Sequence, residues 1–439
     1  MTARAGARFL LAGAATLVAL QPSALTRAQA PTTRPSAPVS REEYERLRRE
    51  VESLRRELSE VNKQRESYAE ETDAALDEID ATVAELKKDA EGREPGTSSF
   101  LLSGNATVSY FDRENDDSTF SVVFRPAFLW RLSDRLFFEA KPEIRLRQGT
   151  EEVSVTLEYA NVSYVLHDAV IVGAGKFLTP FGLFPDRFYP GKLLEEPLVY
   201  QRGNTGLVPH SEVGAFARGA FPVADRYEAN YAVWVSNGPT LRTDDASRPG
   251  LLDFGGSFRD DNDDKAVGAR VGFLPFPALE VGASVYHARV DPHGFEETAA
   301  TLYGVDAQYV ATVKPLGGSV DARFEWVWSD VDDATYDPGG AMGFGPLDYG
   351  NRRSGGYVEV GYRPSLSDMK VLRDVEVVAR YDYLDVPAGV PGPSDEQRVT
   401  AAVLYWVTAT TAFSAGYVVA EPEEGPDRDT FYLRASVGF

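Results

Sequence analysis

Residues 119–147 read TFSVVFRPAFLWRLSDRLFFEAKPEIRLR, and the apolar period of this stretch is two. Phe120, Val122, Phe124, Phe128 and Trp130 fall on one side, Ser121, Arg125, Ala127 and Arg131 on the other. Beyond the turn residues Leu132-Ser133-Asp134 the pattern resumes: Leu136, Phe138, Ile144 and Leu146 stand against Glu139, Lys141, Glu143, Arg145 and Arg147. Side chains of a strand alternate between its two faces, so each strand here carries one apolar and one charged face. A soluble β-sandwich buries such an apolar face against a second sheet. A closed barrel in lipid turns it toward hydrocarbon and lines water with the charged face.

Repetition favours the barrel. Strands are expected near 100–111, 119–131, 134–148, 152–166, 169–178, 211–222, 226–237, 265–275, 278–290, 299–314, 317–329, 355–364, 371–386, 396–407, 409–420 and 429–439. Many run to ten residues or more, and the connections between them alternate long and short. His167-Asp168, Val223-Ala224-Asp225 and Thr408-Ala409 belong to the short set; Asp112–Ser118, 179–210, 238–264 and 330–354 belong to the long set. Short turns at one rim and long loops at the other mark a bacterial outer-membrane barrel. The prediction is an all-β fold, a 16-stranded antiparallel transmembrane β-barrel over 100–439, preceded by an α-helical coiled coil. An even strand count returns both barrel ends to the short-turn rim, the periplasmic side, where the coiled coil must also sit. Phe439, with Val437, Ala435, Leu433 and Phe431 on its face, has the terminal aromatic that outer-membrane barrels present to the barrel assembly machinery.

The first 99 residues are built differently. Arg4 and Arg8, the apolar run from Phe9 to Leu20, and Ala28-Gln29-Ala30 have the three parts of a cleavable signal peptide, assigned to 1–30. Residues 31–40, rich in proline, read as a linker. From 41 to 91 there is no Gly or Pro; Tyr44, Leu47, Val51, Leu54, Leu58 and Val61 alternate spacings of three and four. That is the a/d seam of a coiled coil. It weakens at Arg65 and resumes at Leu76, Ile79, Val83 and Leu86 with a four-residue phase offset, a stutter. So narrow a stripe implies self-association, unless the segment is a solvated single helix.

Composition excludes several classes. The formal net charge is −22, and residues 100–439 hold 30 Lys/Arg against 49 Asp/Glu. Such a surface repels nucleic acid, whose binding rests on phosphate neutralisation. With no cysteine there is no lipoprotein anchor, disulfide, thiolate metal site or c-type haem attachment, and no cofactor or metal is expected. Only His167, His210, His287 and His293 could serve an outer-membrane hydrolase, and none sits in a recognisable catalytic constellation. An enzyme is not expected.

Gly175-Lys176-Phe177-Leu178-Thr179-Pro180-Phe181-Gly182-Leu183, followed by Pro197-Leu198-Val199-Tyr200-Gln201-Arg202, resembles the phosphate-selective porin O and P family. In that family a Gly-x-Phe-x-x-Pro-Phe-Gly-Leu segment leaves a strand and enters a long loop. The resemblance is sharp only over 175–202, but the plan of signal peptide, coiled coil, barrel and terminal Phe is similar. It implies a homotrimer of pores, each narrowed by an inward loop. Independently, 179–210 is too long for a hairpin turn. Its aromatic residues Phe181, Phe184, Phe188 and Tyr189 must pack on the lumen wall or on a trimer neighbour.

Phosphate selectivity carries over poorly. Lys176, Arg187, Lys192 and Arg202 are the constriction candidates, but Asp186, Glu195 and Glu196 accompany them. Alternation places Arg125, Arg131, Arg135, Lys141, Arg145, Arg147, Lys176, Arg218, Arg270, Arg323, Arg363, Arg380 and Arg434 inward. It also places Glu139, Glu143, Glu158, Glu228, Glu280, Asp306, Asp321, Glu325, Glu359, Glu376 and Asp382 inward, 11 acidic against 13 basic. The remaining acidity lies in external loops, as solvated surface or as a site for divalent ions shared with lipopolysaccharide. The expected function is a general or anion-leaning porin passing small solutes by diffusion. The alternatives are a non-conducting outer-membrane anchor and a sheath for a periplasmic partner.

Overall fold

The computed structural model describes residues 99–439 except 115–116, 147–152, 189–190, 202–205, 225–226, 243–248, 255–263, 292–296, 337–345, 389, 391 and 393. The chain divides into two units, Met1–Arg93 and Glu94–Phe439. In the first, only Arg41, Glu45, Arg48, Glu52, Ser53, Arg55 and Ser59 are described. All seven are helical, and Arg48 pairs with Glu52 one turn on at 3.5 Å. The signal peptide, the linker and the seam residues of the coiled coil lie outside the described residues.

Among its described residues the second unit contains eighteen strands. They are β1 (Ser99–Arg113), β2 (Thr119–Arg131), β3 (Leu136–Leu146), β4 (Val153–His167), β5 (Val170–Leu178), β6 (Ser211–Val223), β7 (Tyr227–Ser236), β8 (Thr240–Leu241), β9 (Leu252–Asp253), β10 (Ala266–Phe276), β11 (Leu279–Arg289), β12 (Ala299–Val313), β13 (Gly318–Tyr336), β14 (Leu347–Arg363), β15 (Val375–Asp385), β16 (Glu396–Trp406), β17 (Thr411–Pro422) and β18 (Arg428–Gly438). Sixteen of them close a single antiparallel barrel in chain order, with β7 beside β10 and β18 beside β1. The short pair β8–β9 is a separate two-stranded sheet within the connection between β7 and β10. Closure leaves no open edge, so each barrel strand is hydrogen-bonded to a neighbour on both sides, with the β2–β3 ladder interrupted around Pro126 and Pro142. At the seam, Phe439 and Gly104 exchange backbone N–H···O bonds of 3.0 and 3.1 Å. Both barrel ends therefore meet at the short-turn rim.

The alternation seen in sequence is the inside–outside alternation of the wall. Along β16, Val399, Ala401, Val403 and Tyr405 are exposed, while Glu396, Arg398, Thr400, Ala402 and Leu404 are buried. The outward face is an apolar band of the kind that suits hydrocarbon. Phe439 belongs to it and stacks on Phe124 of β2, ring centroids 5.8 Å apart.

One expected loop is mostly strand. The segment 330–354 was expected to be an external connection, but β13 and β14 continue as a hairpin through Tyr336 and Leu347. Asp332 and Asp333 in succession break the period of two, because a register shift between Val331 and Ala334 inserts an extra residue. Beyond the shift Ala334 and Tyr336 are buried, and Tyr336 packs on Tyr349 at 5.0 Å.

Candidate functional site

The interior is divided by the 32-residue segment 179–210, which joins β5 to β6. Phe181, Leu183, Phe184, Leu198, Val199, Tyr200, Leu207 and Val208 are all buried. Apart from Leu183, they form one apolar cluster with Phe177, Phe216, Trp234, Tyr286, Leu302, Val327, Tyr357 and Leu384, inward residues of β5 to β15. Leu241 of β8 joins this cluster. The upper interior on that side is a packed core.

Polar contacts fix the segment to the wall at separated points. The Gly182 N–H donates to Ser284 Oγ (3.1 Å) and the Leu183 N–H to Glu325 Oε2 (3.0 Å). The Tyr200 and Tyr357 hydroxyls also donate to Glu325, the former at 2.5 Å. Burial, with the Glu325 carboxylate second, holds the Tyr200 phenol well above its usual range, so the proton stays where it can be donated. Gly182 has φ +64°, and a Cβ there would collide with Glu325 and the Tyr200 hydroxyl. Farther along, the Leu198 N–H donates to Asp382 (3.2 Å) and Arg380 donates to the Glu195 carbonyl (2.9 Å).

The tip of the segment is strapped between two walls. Lys192 Nζ lies 2.9 Å from Asp321 of β13 and 2.5 Å from Glu376 of β15. The Arg434 guanidinium of β18 donates to the carbonyls of Gly191, Lys192 and Leu193. Arg187 pairs with Glu280 of β11 at 2.5 Å. The basic residues of the segment thus meet carboxylates of the wall, and most wall arginines are matched in the same way. Arg270 bridges Glu280 and Asp306, Arg323 bridges Asp321 and Glu359, and Arg380 bridges Glu359 and Asp382.

A cavity of about 500 Å³ runs beside the tip. Its lining extends along β1 from Gly104, near the short-turn rim, to Phe111 near the other end; seven residue steps are about 23 Å at ~3.3 Å each. Arg125, Arg145 and Arg434 face it from the barrel wall; Lys192, Glu195 and Glu196 face it from the tip. Arg125 and Arg145 share one carboxylate, Glu143, at 2.7 and 2.9 Å. The field across this passage is transverse, positive on the β2, β3 and β18 side and negative toward the tip.

Of the sequence candidates, Arg125, Lys141, Glu143 and Arg145 lie on the inner face, as does Glu139, while Arg147 and Arg202 lie outside the described residues. Lys176 is corrected: it points outward. It stands opposite Val213 and Ala160, whereas its neighbour Phe177 stands opposite the buried Glu212 and joins the interior cluster. Directly paired residues share a face, which settles the orientation. Sequence reading also omitted Glu212, Arg353, Glu396 and Arg398, all buried on the inner face. Trp234, Ser236 and Tyr286 all donate to Glu212.

No protein-family model matches this sequence, and no curated protein matches it. Among solved structures the chain is similar to the anion-selective porin from Comamonas acidovorans, with 12% identity over 78% of this chain and 100% of that one, TM-score 0.52. It is also similar to OmpF of Salmonella typhi (12% identity, 77% and 97% covered, TM-score 0.49). A further similar structure is DcaP, an outer membrane channel of Acinetobacter baumannii (11% identity, 78% and 97% covered, TM-score 0.46). The fold is that of the outer-membrane porins. At these identities the likeness speaks for the fold and for nothing finer.

Proposed function

We propose that this chain is an outer-membrane porin through which small hydrophilic solutes diffuse passively past the tip of 179–210. The observation that carries the reading is the cavity along β1, which lies beside that tip and is lined by charged and hydroxyl side chains. A barrel serving only as an anchor needs no such opening. In this reading Lys192, Glu195 and Glu196 narrow the passage from one side, and Arg125, Arg145 and Arg434 from the other. The wall arginines outnumber the Glu143 they share, so the passage leans toward anions, while Glu195 and Glu196 temper the preference. The motif at 175–202 supports kinship with the phosphate-selective porins, but the ion-paired state of Arg187 and Lys192 argues for organic or mixed anions over dedicated phosphate capture.

The protein acts as a homotrimer, with residues 1–30 removed on export and 41–91 forming a periplasmic coiled coil that reinforces the trimer. Phe439 is the feature read by the barrel assembly machinery, and the acidic loops face the lipopolysaccharide side. Single-channel recording of refolded protein in planar bilayers tests the proposal: stepwise conductance in groups of three supports it. A folded, inserted barrel that passes no current would overturn it and leave an anchor or a partner's sheath.

A further inference from the structure

A second cavity, of about 250 Å³, shares no lining residue with the passage. It lies in the wall beside the start of the 179–210 segment, lined by residues of β3 to β7 with Pro180 and Asp186. At ~30 Å³ per water it has room for about eight. Two of its sides are aromatic: Phe177 and Phe216 have ring centroids 5.1 Å apart, and Tyr159 adds a third ring.

Its charges are not balanced. Arg218 lies over the Phe216 ring at 5.3 Å and is matched by Asp186 at 3.1 Å. That leaves Glu139, whose carboxylate makes no ion pair or hydrogen bond among the described residues. The lining therefore carries one net negative charge beside aromatic faces. A hard metal ion wants several carboxylates among six or more oxygens; Asp186 is committed to Arg218, and no group of three acidic or histidine side chains among the described residues could hold one. A cation that can meet one carboxylate while its carbon skeleton lies on aromatic rings fits both features.

We infer that this side pocket binds a small organic ammonium ion, a primary amine with a short apolar or aromatic arm, its nitrogen on Glu139 and its arm against Phe177 and Phe216. Asn161, which is buried and lines the same cavity, supplies a neutral polar group beside the nitrogen. The Arg218–Asp186 pair forms the rim, because both side chains remain partly exposed to the lumen. The pocket is independent of whether the barrel conducts.

Calorimetric titration of the folded full chain in detergent tests this with three probes of one shape: phenethylammonium chloride, neutral 2-phenylethanol and phenylacetate. The ammonium should bind at least tenfold more tightly than the alcohol, and phenylacetate should not bind. Glu139→Gln should weaken the ammonium about tenfold or more and leave the alcohol unchanged. Arg218→Gln removes the competing cation and should tighten the ammonium, an opposite sign that damage to the fold cannot produce. Equal affinity for ammonium and alcohol, or indifference to both substitutions, overturns the inference. A conducting barrel without ammonium binding refutes the pocket alone; a silent barrel that binds the ammonium refutes the pore alone.

Discussion

Replacing Arg145 by Glu is the sharpest test of the passage. Arg145 has 45% of its side chain exposed and shares Glu143 with the buried Arg125, so its loss leaves Glu143 paired. The substitution changes the charge beside the passage by two units with little expected change in packing. A permeating ion about 6 Å away feels each unit as about 0.7 kcal/mol in water. Screening at 0.1 M salt, with a Debye length of about 10 Å, cuts that to roughly 0.4 kcal/mol. Each unit then favours an anion about twofold and disfavours a cation equally. Two units shift the permeability ratio toward cations by about sixteenfold. In a tenfold salt gradient this moves the reversal potential by roughly 50 mV, against ~59 mV for ideal selectivity of one sign. Planar-bilayer recording of wild type and Arg145→Glu in matched gradients measures the shift directly. A change in permeability ratio below twofold would refute the reasoning, because it would put the ion path away from β3.

Other outcomes follow from the same geometry. Lys176→Gln should leave the reversal potential where it is, since the side chain faces away from the lumen; a shift of more than a few millivolts would reinstate it in the channel. The double change Glu195→Gln with Glu196→Gln should move the reversal potential toward anions by an amount similar to Arg145→Glu and opposite in sign. Gly182→Ala should cost about 1–3 kcal/mol through its left-handed backbone and the collision with Glu325 and Tyr200. It should read out as a lower midpoint of thermal unfolding and noisier open-channel current. Deleting Phe439 removes the stack on Phe124, both backbone hydrogen bonds with Gly104 and the one from Ser103, and should lower the fraction of heat-modifiable folded barrel recovered from the outer-membrane fraction.

The wall was legible where one parity is apolar and the other is not. In β2 the outward residues are large and apolar and the inward ones include Arg125 and Arg131, and its bounds agree with the sequence reading to the residue. In β5 that contrast is missing. Val170, Ile171 and Val172 occupy both parities, Gly173 and Gly175 mark neither, and only the pairing with β6 reveals that Lys176 is outward. The hairpin above the rim was hidden for a different reason, since its bulge shifts the period midway. Charge pairing in the lumen was not legible at all. Lys192 finds Glu376 across 184 residues, and Arg434 finds the carbonyls of Gly191 to Leu193 across more than 240. Such partners are set by barrel closure, which carries no short-range signal. Glu396 and Arg398 went unassigned because they open a strand whose phase is established only by Val399, Ala401 and Val403 further on.

The seam between β1 and β18 has a consequence for how the molecule comes into being. Ser103 donates to the Phe439 carbonyl across a separation of 336 residues, so the first strand waits for its partner until the final one has emerged. Until then both margins of the growing ribbon expose unpaired backbone, an invitation to cross-pair with any neighbouring polypeptide. Long-range pairing of this kind is slow because its entropic cost precedes its reward. A chain of this topology closes only once its last strand is available, so ring closure is the late step of its folding.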